Sequence, residues 1–136
     1  MAKSTGLAIT TLSVDDSGGT PRDIRNDITN FQFATPRAVQ EVTGIDKSAI
    51  ERLLVLADFS ITCNGVFNPT ATTSSHAVFR TVPSTSINRT VTIVIAAQTL
   101  PNECLFTDYN LSRAASGELT WTAPGVLADG TVPTWA

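Results

Sequence analysis

Histidine, methionine and tyrosine occur once each in these 136 residues, and cysteine and tryptophan only twice each. His76 has no second histidine to share a metal with, and the Ser/Thr-rich run 68–76 offers no sequence partner that would make it a base or a ligand. A solvated loop histidine is expected there rather than a catalytic base. Cys63 and Cys104 form neither a CxxC pair nor a metal-spaced cluster. Both lie in strand-like runs with apolar neighbours, which predicts buried free thiols, a disulfide between adjacent strands being the alternative. Lysine is confined to Lys3 and Lys47, and the net charge is −3, so a protein that grips nucleic acid through its phosphates is excluded. No apolar run approaches the length of a membrane span. The opening MAKSTGLAITTL has too short and too threonine-broken an apolar stretch for a signal peptide, so a soluble chain made in a cytoplasm is expected. The acids are scattered, and SGGTPR lacks the spacing of a phosphate loop. No enzyme is expected, and no cofactor, metal or small-molecule ligand.

What the chain does have is valine, threonine and a hydrophobic fraction of 42%. That composition suits one globular, strand-rich domain of 1–136 with a core of its own. Residues 7–14 predict a first strand, and DDSGGTPRD a loop. Strands are expected at 27–34, where Phe31 and Phe33 share a face, and at 37–44. In DKSAIERLLVLAD, Ile50, Leu53, Leu54 and Ala57 recur at helical spacing, and Ser48 with Glu51 matches a capping box; a short helix over about 47–57 follows. INRTVTIVIAAQ alternates most strongly and is placed in the middle of a sheet. ECLFTDYNLSRA and GELTWTAPGVL are joined at AASG, with the length and glycine of a hairpin connection. Arms that order only against neighbours are expected at 1–23 and 125–136. Trp121 and Trp135 suit a core or contact anchor better than a sugar or base platform.

The stretch DFSITCN places Phe59, Ile61 and Cys63 on one side of an extended chain and Asp58, Ser60, Thr62 and Asn64 on the other. The first set belongs in a core. The second is hydrated and lacks any cation.

The runs PRAVQEVTGIDKSAIERLLVLADFSITCNGVFNP, HAVFRTVPSTSINRTVTIVIAAQ and ECLFTDYNLSRAASGELTWTAPGVLADGTVPTW resemble the tail tube proteins of long-tailed bacteriophages over most of the chain. Particular carriers are DITNFQF, EVTG, NGVFN and GELTWTAPGVLADG. The resemblance implies a mainly β fold, a β-sandwich or split barrel with one short flanking helix, and a structural virion protein. It implies six-membered rings stacking into a tube through which genome DNA passes without specific binding. Its partners would be further copies of itself and other tail proteins at the tube ends; no membrane is involved. On that reading Asp58, Ser60, Thr62 and Asn64 are candidates for the lumen wall, where a phosphate chain must slide past without sticking. The TVT and ELTWT strands are equal rivals for that place. Asp15, Asp16, Gly18, Gly19, Arg22 and Trp135 are candidates for contacts between rings. A head-to-tail joining or decoration protein, or a stand-alone β-sandwich binding domain, are the other functions this pattern allows.

Overall fold

Val91 and Ile93 lie fully buried on β7 (Arg89–Ile95), and the alternating threonines 90 and 92 face outward. This strand pairs along one side with β1 (Ile9–Asp15) and along the other with β8 (Gln98–Phe106), so its central place in the sheet is as expected. The computed structural model describes residues 3–136. Its remaining elements are β2 (Pro21–Asp23), β3 (Ile28–Ala34), β4 (Arg37–Glu41), β5 (Arg52–Ala57), β6 (Ser60–Val66), β9 (Asn110–Arg113), β10 (Leu119–Leu127), a five-residue α-helix, α1 (Ser75–Phe79), and two short 3-10 turns, Gly6–Ala8 and Arg25–Asp27. All strand pairs are antiparallel.

Eight strands form one sheet in the order β2-β1-β7-β8-β10-β6-β3, with β9 alongside β10. Its two halves meet through a short seam, where Cys104–Phe106 of β8 pair with Gly125–Leu127 of β10. The inner faces of both halves supply one core: Leu12 and Val14, Val91 and Ile93, Leu100 and Cys104, Ile61 and Cys63, Trp121 and Ala123. This is the mainly β fold that the sequence pattern predicts, with a single short α-helix among the described residues. A register shift between Ile28 and Asn30 lets Ile28, Phe31 and Phe33 of β3 all lean on that core.

The helix is in a different place from the one expected. Residues 52–57 are β5, paired with β4 in the separate two-stranded sheet, and no helix spans 47–57. Helical spacing of Ile50, Leu53, Leu54 and Ala57 coincides there with a short continuous run, LLVLA, which suits a strand as well. Thr43 decides the loop: its hydroxyl accepts from Glu51 N (2.9 Å) and donates to Glu51 O (3.3 Å), so the Ser48–Glu51 capping box does not form. The real helix begins at Ser74, whose Oγ accepts from Ala77 N (3.2 Å), inside what reads as loop.

Two buried polar side chains fasten this helix. Asp27 accepts from Ser75 N (2.7 Å) and Asn68 Nδ2 (2.8 Å), placing a carboxylate at the helix N-terminus, where orphan N–H groups need acceptors. Arg89, 2% exposed, donates to Asp15 O and Val78 O (3.0 Å each) and to Thr81 Oγ1 (2.7 Å). It therefore ties β7, β1 and the end of α1 together. His76 is not a solvated loop residue: it packs half-buried on Phe67 and Tyr109, with Nδ1 3.2 Å from the Tyr109 hydroxyl.

Of the expected arm 1–23, residues 9–15 and 21–23 are strands of the main sheet, because Leu12 and Val14 belong to the core. The C-terminal stretch lies along the free edge of β8. Ala128 N donates to Glu103 O, Ala136 exchanges both backbone hydrogen bonds with Thr99, and Trp135 sits against Phe33.

Candidate assembly surfaces

The outward side of β6 continues across its neighbours as one uncharged, largely polar surface. Asn30 of β3, Asn64 of β6 and Thr122 of β10 stand in a row, as do Gln32, Thr62 and Pro124, and then Ala34, Ser60 and Val126. Asn110 of β9 extends the first row past Thr122. Asn64 knits its row together: its Nδ2 donates to Asn30 Oδ1 (2.7 Å) and its Oδ1 accepts from Thr122 Oγ1 (2.8 Å). No residue in these rows carries a charge. Ser60, Thr62 and Asn64 thus share a face as expected, and the threonines of ELTWT, a rival set, lie on that same face. Asp58 precedes the strand, and its carboxylate caps the backbone at Phe59 N (2.8 Å). The outward side of the other half differs. There Ser13, Thr92 and Pro101 form one row, and the next pairs Thr90 with Glu103, whose carboxylate accepts from the Thr90 hydroxyl.

Asp15, Asp16, Gly18, Gly19 and Arg22 come together at the β1–β2 turn. Asp16 Oδ1 accepts from Gly18 N (2.9 Å) and Thr20 N (3.0 Å), and Oδ2 pairs with Arg22 Nε (3.1 Å). Partial desolvation pushes the Asp16 carboxyl up, but those backbone donors and Arg22 outweigh it and hold the group below its ordinary range. Gly19 takes φ +81°, where a side chain would be strained. The sequence-predicted loop is thus a self-organised turn. Trp135 lies elsewhere, beside Ile95 and Gln98 at the far end of β7 from Asp15, so the six candidates form two separate places.

The largest feature is one that sequence reasoning missed. β4 and β5 form a hairpin exposed on both faces, closed at its base by Asp58 N donating to Pro36 O (2.9 Å). Val39, Val42, Ile45, Ile50, Leu53, Leu54, Val55 and Leu56 all project into solvent there, half of the exposed large hydrophobic residues among those described. An isolated two-stranded hairpin is marginal in water, and a contiguous exposed apolar patch marks an interaction site. The signal is present in LLVLA, a continuous apolar run that suits a strand with no core partner. A concave feature lies at the start of β3, an open groove of about 550 Å³ lined by Leu7, Ile9, Leu12, Ile28 and Phe31, with Arg25 beside them.

Among the described residues no cluster of histidine, cysteine and acids is suited to a metal. Burial pushes both thiols up to about 12; the nearby Cys104 adds to the effect at Cys63, and Glu103 and Asp129 add to it at Cys104. Both cysteines are free. They are packing residues, not nucleophiles.

Comparison with solved structures extends over the whole chain. The tail of an empty gene transfer agent particle, reconstructed with C6 symmetry, matches at a TM-score of 0.73 and 16% identity, covering 98% of each chain. This chain has the fold of that tail subunit. A chain of the native gene transfer agent virion matches at 0.69 and 16% identity, over 97% of this chain and 99% of that one. No family model and no curated protein matches the sequence. The tail-subunit fold spans both halves of the sheet, and the near-complete coverage takes in the β4–β5 hairpin as well.

Proposed function

We propose that the chain is the structural subunit of a phage-like tail tube, located in the tail of a virion or a related particle. Six copies close a ring, rings stack, and DNA passes along the lumen. The observation that carries this reading is the end-to-end match in fold to a subunit of a six-fold symmetric tail. The exposed hairpin supports it independently, because a lone chain has no use for so much apolar surface in water. A ring is a closed heterologous assembly that needs two different surfaces per subunit, and stacking needs a further pair.

In this reading the uncharged rows of β3, β6 and β10 face the lumen, with Ser60, Thr62 and Asn64 at their centre and Asp58 at the rim. A wall without lysine or arginine displaces no counterions from passing DNA, so transit meets little electrostatic friction. The β1–β2 turn and Trp135, at opposite ends of β7, face the rings on either side. Other tail proteins meet the tube at its ends. The role is mechanical, not enzymatic. Native mass measurement of the purified chain at rising concentration tests the ring: a species of six chains is expected, and a monomer persisting at every concentration contradicts it.

A further inference from the structure

We propose that the tip of the β4–β5 hairpin of one copy docks in the groove at the start of β3 of a second copy, Ile45 entering the groove and Asp46 meeting Arg25. This rests on the tube reading and names a contact that would hold the tube together. Ile45 stands fully exposed at the hairpin tip, flanked by exposed Val42 and Ile50. The groove offers the matching surface, with Leu7 exposed and Ile28 and Phe31 only partly buried.

Charge fits the same pairing. Arg25 uses Nε on the Asp23 carboxylate (3.0 and 3.1 Å) and Nη1 on Ile9 O (3.2 Å), while its Nη2 makes no hydrogen bond among the described residues. Asp46 has a side chain 77% exposed and only a loose 3.7 Å pair with its neighbour Lys47. A guanidinium with a spare donor edge and a carboxylate with spare acceptors are complementary.

Placement makes the contact directional. The hairpin leaves from Ala34, the last residue of β3, whereas the groove is lined by Ile28–Phe31, its first residues. Each copy carries one hairpin and one groove at different places, so every contact leaves a further hairpin and a further groove free. Repetition gives a closed ring or a continuing column, not an isolated pair.

Cysteine cross-linking of the full chain tests this, since the native thiols are buried. Leu7→Cys combined with Ile45→Cys, mildly oxidised, is expected to give a ladder of covalent multimers on a non-reducing gel. A ladder ending at six marks a contact within the ring, and a longer one a contact between rings; either supports the docking. Dimers from Ile45→Cys alone, with no ladder from the pair, mean that hairpins meet each other and overturn it. In parallel, Asp46→Arg and Arg25→Glu should each raise the concentration needed for assembly about tenfold or more, and the double variant should recover most of that loss. A double variant no better than the worse single one overturns the pairing. Tubes formed by wild type without any ladder from the cysteine pair overturn the docking alone. Wild type that forms neither rings nor tubes overturns the tube reading as well.

Discussion

Gly65 sits where three parts of the molecule cross. A Cβ built there would lie 2.1 Å from Asp27 O and 2.8 Å from the Trp121 ring, so no side chain fits beneath the turn that Asp27 anchors. Gly65→Ala should therefore lower stability by about 3 kcal/mol, because backbone, not a flexible side chain, has to move. Thermal unfolding checks this, with a fall in midpoint on the order of 10 °C for a chain of this size. A second residue-scale prediction concerns alkali. Burial raises the Cys63 and Cys104 thiols from about 9 to about 12, and burial with Asp27 nearby raises Tyr109 from 10 to about 12. Folded values above unfolded ones mean that the neutral groups' stability is fully present below about pH 9. It is lost as pH climbs toward 12. Urea midpoints should fall between pH 8 and about pH 10.5, and the thiols should react with an alkylating reagent at pH 8 only after denaturant is added. At this scale much was legible: alternation marked Phe59, Ile61 and Cys63 as core, and they are. Asp27 and Arg89 were not legible, since each has a partner far off in the chain, Ser75 N 48 residues from Asp27 and Asp15 O 74 residues from Arg89.

At the scale of elements, strands with a buried face were readable and elements without one were not. β6, β7 and β10 each bury every second residue, and that period is written in the sequence. β5 buries no residue, Ala57 alone being half-buried, so its apolar residues follow no period imposed by a core, and a helical spacing arose within a strand. The five-residue α1 is too short to display a period at all, and its start depends on Ser74 and the distant Asp27. The hairpin's independence from the core yields a prediction. Replacing residues 38–56 with a short Asn-Gly turn should leave the far-ultraviolet circular dichroism of a folded β domain and a thermal midpoint within a few degrees of wild type. The same variant should stay monomeric at concentrations where wild type assembles. Loss of the folded domain would show instead that β4 and β5 support the core.

For the whole molecule, the proposed tube would divide its work between the uncharged face and the apolar hairpin: one surface would avoid adhesion and the other would seek it. Individual side chains of the polar face were legible in DFSITCN, but its extent across β3 and β10 needed the register that joins Asn30, Asn64 and Thr122. Thr62→Lys tests its orientation. Particles built with this variant should assemble, and their DNA release should slow at low salt and recover at high salt, since a row of cations along the wall holds a passing polyanion through screened contacts. Release equal to wild type at both salts would turn this face away from the lumen. The central claim, that copies of this chain build a hollow tube from six-membered rings, is met most directly by electron cryomicroscopy of the concentrated, purified protein. The account predicts tubes with an open lumen, six subunits per ring, and hairpins of one copy against another. Solid filaments, rings of another number, or a field of monomers at every concentration would contradict it.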